Sequence, residues 1–300
     1  MTFKQSPSGY KNVRGPLIQS VQGQLNAKGF NAGAVDGAWG NNTMAALQAW
    51  QTANGINPTG EIDDATWTRL MGDPVPELSQ RALQLTGDWE GTGYSGANGN
   101  FDGQGITWGV VGFTWSNGEL QGILGEVQSR YPAVFTKAFG SLEAQLTNVL
   151  KQPLASQMAW ARSISTNGGN SIASQWAAAF KALGQAPEVQ QIENEHVQHY
   201  WLAGMQFVAD FGLTSEKGLA LCFDIAVQNT VAHDMIDEIE QNIAPPGMSE
   251  TDKMRVIAHV VAGHANPKYY TDVLTRKMTF VTGQGAVHGD RYDITCWGIG

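Results

Sequence analysis

Three carboxylates stand close together in a stretch with no basic residue nearby. "TGDWEGTGYSG" carries Asp88 and Glu90, and "NFDGQGITWGVVGF" carries Asp102 among glycines and aromatics. Paired acids of this kind suit cleavage of a glycosidic bond. One carboxyl must stay protonated and donate to the leaving oxygen, while the other stays ionised and activates water or stabilises the cation-like sugar. Different surroundings push the two pKa values apart. Glu90 follows Trp89 at the end of an apolar helical pattern, where partial desolvation favours the protonated form. Asp102 opens a Gly-rich turn, where backbone N–H groups favour the ionised form. Glu90 is therefore read as the acid and Asp102 as the base, with Asp88 expected to be solvated.

The elements that must position these groups are mostly helical. In the N-terminal part, "LIQSVQGQLNAKGF" places Leu17, Val21 and Leu25 at helical spacing, with Gly29 after its end. "NNTMAALQAWQTANG" predicts a second helix capped at Asn42 or Thr43, its apolar stripe carrying Met44, Ala46, Leu47 and Trp50. A short third helix is predicted from about Asp63 to Met71. "DPVPE", residues 73–77, is the linker candidate. The expected division is a domain over 1–72, a linker over 73–77 and a larger domain over 78–300. In the larger part a helix is predicted to end near Glu90, and further helices to follow over 118–140, 141–153, 171–184, 187–212, 215–232, 249–265 and 267–279. "GITWGVVGFTW" is the one notable β-branched and aromatic run, and its glycines predict a short twisted hairpin.

The formal net charge is −9, from 18 basic and 27 acidic residues, with no basic cluster, so nucleic acid is not an expected partner. No stretch approaches the ~20 apolar residues of a membrane span. The N-terminus shows no apolar signal region, so no export by a signal of its own is expected. Cys222 and Cys296 are expected to be reduced thiols. No metal-ligand spacing is seen, the i, i+3 pair His196 and His199 having no third ligand at metal spacing, and no cofactor is expected.

Val35–Leu70 closely resembles the peptidoglycan-binding type 1 family, a three-helix module of wall hydrolases. The resemblance is carried by the "VDGxxGxxT" loop, Trp50-Gln51, "NG", "TG" and "D-x-x-T-W-x-x-L" in order. Trp67 is expected in its core, and Trp39, after the Asp36-Gly37 turn, is a candidate for contact with sugar or peptide. "DGQGITWGVVGF" in turn resembles the "DGRGYTxGxxGF" signature of the chitosanases in the lysozyme-like superfamily. That resemblance implies a helix-terminal general acid at Glu90, a general base at Asp102 and a water-holding residue at Thr107. It also implies a buried charged network containing Asp224, in "GLALCFDIAVQN", which Arg276 or Lys277 would pair. Gln104 stands where the signature has Arg, and the 12-residue step from Glu90 to Asp102 is shorter than in typical chitosanases.

Together the two resemblances imply a mostly α peptidoglycan glycosidase of the bacteriophage endolysin kind. It is expected to be a monomer held in the host cytoplasm until lysis and acting then at the wall. Candidate substrate contacts are Trp39, Tyr94, Gln104, Trp108, Trp115 and His288, with Trp89 another aromatic beside the acids. Alternatives are a lytic transglycosylase, which needs one acid only, a chitosanase with a wall anchor, and a non-catalytic wall-binding phage protein.

Overall fold

The computed structural model describes residues 1–300 except Thr92 and Thr230. In chain order the elements are β1 (Thr2–Phe3), α1 (Pro16–Ala27), α2 (Asn41–Ala53), β2 (Ile62–Asp63), α3 (Asp64–Met71), α4 (Leu78–Glu90), β3 (Ala97–Asn98), β4 (Thr107–Trp108) and β5 (Phe113–Thr114). There follow α5 (Glu119–Arg130), α6 (Pro132–Phe139), α7 (Glu143–Leu150), α8 (Leu154–Ile164), β6 (Ser165–Thr166), β7 (Ser171–Ile172), α9 (Ser174–Gly184) and α10 (Pro187–Phe211). The chain closes with α11 (Glu216–Gln228), α12 (His233–Ile243), α13 (Glu250–His264), α14 (Tyr270–Thr282), β8 (Gln284–Val287) and β9 (Asp290–Asp293). The fold is mostly helical, as expected. The predicted helix over 215–232 is α11, and Thr230 lies outside the described residues. The predicted helix over 118–140 is two, because Pro132 starts α6 and its ring disfavours a helical Tyr131.

Two compact units form, one from 1–89 with 200–300 and one from 90–199. In the first unit, the N-terminal residues are joined to the far end of the chain: β1 pairs β2, Phe3 bridges Trp297, and Lys4 N–H donates to the Cys296 carbonyl at 3.2 Å. Pro16 starts α1 with its fixed φ, and Ile18, Val21 and Leu25 are its buried stripe, Ile18 taking the place expected for Leu17. Gly40, rather than Asn42 or Thr43, caps α2. Asp63 caps α3 by accepting from Thr66 N–H at 2.7 Å, and Trp67 is in the core. The buried Gln22 and Gln51 act as internal braces. Gln22 accepts from Gly37 N–H at 2.8 Å, and Gln51 accepts from Gly60 N–H at 2.9 Å. Each fixes a loop that has no ladder of its own to satisfy its backbone.

Cys222 and Cys296 are buried free thiols. Val287 and Asp290 close the β8–β9 hairpin around His288 and Gly289, whose φ values of 51° and 87° fit a two-residue turn with both φ positive.

The second unit has an aromatic core. Trp115 meets Trp160 at 5.1 Å, Trp160 meets Trp176 at 5.0 Å, and Phe180 packs on both Phe139 and Trp108. The expected hairpin is present as β4–β5, and β3 adds a third antiparallel strand. No helix among the described residues is long and apolar enough to cross a membrane.

Candidate active site

Helix α4 is held almost all round before it delivers Glu90. Trp89 packs edge-on against Phe280 at 5.0 Å and Tyr292 at 5.6 Å, and the Arg276 guanidinium lies 5.3 Å from its ring centroid. Thr86 donates to Asp224 at 3.1 Å. Asp224 is wholly buried and binds Arg276 Nη2 at 2.7 Å and Lys277 Nζ at 2.5 Å. Burial alone would raise the Asp224 carboxyl, but the adjacent Arg276 and Lys277 charges outweigh it and hold it at about 2. Lys277 also donates to Gln228 at 2.7 Å. Gly91, at φ 75°, follows α4 and ends it in the left-handed conformation that glycine tolerates. Glu90 is thus the half-buried last residue of an anchored helix.

Asp88 is largely buried rather than solvated. Its side chain is only 9% exposed, takes the Tyr292 hydroxyl at 2.7 Å and pairs with Arg14 at 3.1 Å. Burial raises its pKa against these two partners. The Tyr292 hydroxyl and the Arg14 guanidinium take the place of the water expected around it.

Asp102 is exposed, in a loop whose backbone is fixed. Its Oδ1 accepts from Gln104 N–H at 2.9 Å, and Asn100 spans the loop by accepting from Gly105 N–H at 2.7 Å. Asn100 N–H donates to Ser165 at 3.0 Å, tying the loop to the β6–β7 hairpin. A Cβ on Gly99 would lie 2.4 Å from the Ser171 carbonyl, so the contact needs glycine. Thr107 lies half-buried on β4, on the face opposite the buried Trp108. Glu90, Asp102 and Thr107 all belong to the second unit.

The binding candidates separate by burial. Trp39, Trp108 and Trp115 are each 0% exposed, so they are core rather than sugar platforms. Trp108 Nε1 donates to the Phe180 carbonyl and Trp115 Nε1 to Gln157, whereas Trp39 Nε1 and Trp89 Nε1 have no hydrogen-bond partner among the described residues. Trp89 is likewise buried. Tyr94 is half-buried, with its hydroxyl donated to Asn194 at 2.7 Å. Gln104 is exposed, and its side chain takes the Ser116 hydroxyl. His288 occupies the β8–β9 turn, 3.4 Å from Asp272.

Two residues escaped the sequence reading. Phe101 is 53% exposed beside Asp102. The signal was an aromatic in a Gly/Asn loop with no apolar neighbour to pack on. Glu193 of α10 is 0% exposed and accepts from Val110 N–H at 2.8 Å, in the turn between β4 and β5. Its other oxygen has no hydrogen-bond partner among the described residues, and burial pushes its pKa well up. The signal here was a carboxylate four residues from both Val189 and Val197, on the buried stripe of its helix. No group of three or more metal-ligating side chains occurs among the described residues.

Residues 14–70 match the family described as Putative peptidoglycan binding domain. An uncharacterized protein in the bpoA1 3′ region of Kitasatospora aureofaciens is 35% identical over 57 residues, which is 19% of this chain and 48% of that protein. The chain thus matches about half the length of that relative. Among solved structures, the GH46 chitosanase of Gynuella sunshinyii in complex with chitotetraose is similar in fold, with a TM-score of 0.50 at 15% identity over 73% of this chain and 98% of that one. The chain therefore carries a segment similar to the peptidoglycan-binding family, in a helical fold similar to that of a chitosanase.

Proposed function

We propose that the protein hydrolyses the β-1,4 bond between N-acetylmuramic acid and N-acetylglucosamine in peptidoglycan. The observation that carries this reading is the exposed, backbone-fixed Asp102 carboxylate in a chain that also bears a peptidoglycan-binding module. In the proposed reaction the Glu90 carboxyl donates its proton to the glycosidic oxygen as the C–O bond breaks. Asp102 takes a proton from water, whose oxygen attacks the anomeric carbon from the opposite face, and Thr107 holds that water. Both carboxyl groups are restored by proton exchange with solvent, and the anomeric centre inverts. Trp89 and Thr86 anchor the helix whose last residue is Glu90.

The physiological part of the proposal is lysis of a bacterial host by a monomeric phage endolysin that waits in the cytoplasm. Expression inside bacteria should leave cells intact until the inner membrane is permeabilised and then clear the culture. Clearing without permeabilisation would rule that role out.

The direct test is digestion of purified sacculi, with mass spectrometry of the products. Reducing-end muramic acid is expected. Glu90→Gln and Asp102→Asn should each lower turnover by about 10²–10⁴-fold with an unchanged melting temperature, because each amide keeps the shape but not the proton chemistry. In Asp102→Asn the side-chain oxygen still accepts from Gln104 N–H. Full activity of either folded variant would remove that residue from the mechanism. Anhydro-muramic products with an active Asp102→Asn variant would assign a lytic transglycosylase instead.

A second reading, chitosan hydrolysis, is favoured by the fold likeness to a chitosanase. A zymogram with peptidoglycan and chitosan side by side separates the two.

A further inference from the structure

The first unit holds a cavity of about 350 Å³ where the end of α11 meets α12, α13 and the start of α14. That volume is at the small end of ligand pockets. Three buried apolar side chains, Met235, Val261 and Val273, line part of it. Asn229 also lines it, and its Oδ1 is enclosed with no hydrogen-bond partner among the described residues. An enclosed acceptor without a protein donor takes one from an ordered water or from a ligand. Tyr269, 48% exposed, stands at the lining, with Lys268 Nζ 5.1 Å from its ring centroid on one face. Asp272 supplies a half-exposed carboxylate. No Lys or Arg lines the cavity, and the one lining imidazole, His264, is taken by Glu238 at 2.8 Å.

An apolar patch, a lone buried acceptor, an open aromatic ring and an acceptor for hydroxyls match the parts of one acylated amino sugar. The methyl of an acetamido group would meet Met235 and Val273, and its N–H would reach Asn229. Sugar C–H bonds would cover the second face of Tyr269, and hydroxyls would donate to Asp272. A lactyl carboxylate would meet the Asp272 carboxylate, which the His288 imidazole already faces at 3.4 Å. The cavity is braced by the anchoring network, since Gln228 lines it and accepts from Lys277, which binds Asp224.

We infer that this cavity is a binding subsite for a neutral N-acetylhexosamine unit of a wall glycan. The inference rests on the wall-glycan reading above, but binding is measured separately from cleavage. Full-length protein carrying Glu90→Gln would be titrated by calorimetry with the fully N-acetylated tetramer of glucosamine. The same titration would follow with the deacetylated tetramer and with free N-acetylmuramic acid. The acetylated tetramer is expected to bind at least tenfold more tightly than the other two. Adding Asn229→Leu or Tyr269→Ala should weaken it by threefold or more, and Met235→Trp, which fills the cavity, should abolish the cavity's share of binding. Tyr269 is exposed, so its variant folds even if Met235→Trp does not. Unchanged affinity in both Asn229→Leu and Tyr269→Ala overturns the inference. So does equal binding of the deacetylated tetramer. A protein that binds as expected but leaves sacculi uncut would keep the subsite and refute the hydrolase reading.

Discussion

Arg14 Nε lies 3.1 Å from Asp88, joining the first residue of the peptidoglycan-binding match to the helix that ends at Glu90. The matched segment is therefore packed into its unit. Gln84 makes a second joint by accepting from Leu17 N–H at 2.9 Å, and the guanidinium of Arg81 reaches the Gly298 carbonyl and Glu216.

Removal of residues 1–72 should destabilise the remainder. It uncovers Trp297 where Phe3 bridges it and leaves the mostly buried Asp88 without its cation. The fragment loses the apolar surface that Phe3 covers on it, at about 25 cal/mol per Å². Denaturant unfolding of residues 73–300 should therefore show a midpoint well below that of the full chain. An equal midpoint would mean that the module contributes nothing to the unit's stability. Arg14→Ala, which removes one half-exposed partner, should cost less than about 1 kcal/mol.

Phe101→Ala should weaken substrate use without unfolding the chain. The ring is half-exposed and two residues from the glycine that seats the loop, so its loss leaves no cavity. KM for soluble glycan fragments should rise several-fold, with kcat changed little, as expected when ground-state and transition-state binding fall together. A fall in kcat at constant KM would place Phe101 in the chemistry instead.

The helical class and the β4–β5 hairpin were legible because periodicity and glycine spacing are local signals. The placement of Glu90 at a helix end and of Asp102 in a glycine-rich loop was legible for the same reason. The fate of the tryptophans was not, since Trp39, Trp108 and Trp115 lie in loops or short strands whose burial depends on distant residues such as Val13, Phe180 and Gln157. Asp88 read as solvated because Tyr292 is 204 positions away in sequence. Helices α8 and α12 escaped the periodicity reading. The β8–β9 hairpin was hidden by a His-Gly turn in place of the commoner Asn-Gly, with His288 taking the positive φ.

Asp224→Asn should cost about 3–5 kcal/mol, because it leaves Arg276 and Lys277 buried without their counter-charge. The wild-type carboxyl is held at about 2, below the ordinary value of 3.8. Its stabilising contribution is therefore complete above about pH 4 and is lost as pH falls through about 2. Urea midpoints measured from pH 6 down to pH 2 should converge for the two proteins at the acid end. A constant gap across that range would mean that the carboxyl's charge is not the source.

Glu193 should show the opposite sign. Burial raises its carboxyl well above 4.5, against the Val110 amide that favours the ionised form. The fold thus prefers the neutral acid, and stability falls as pH rises from about 4.5 through the raised value. Glu193→Gln keeps an acceptor for Val110 N–H and carries no charge, so its melting temperature should match wild type near pH 4 and exceed it at alkaline pH. Glu193→Leu removes the acceptor and should be less stable at every pH. A Cβ on Gly109 would lie 2.6 Å from Glu193 Oε2, so the carboxyl fills the inside of the turn that follows Thr107. Opening that turn moves the strand on which Thr107 sits. Under the proposed mechanism Glu193→Leu should then lower kcat while Glu193→Gln retains it, with KM little changed in both. A Glu193→Gln variant that loses stability equally from pH 4 to pH 9 would show that the carboxylate, not the neutral acid, holds the turn.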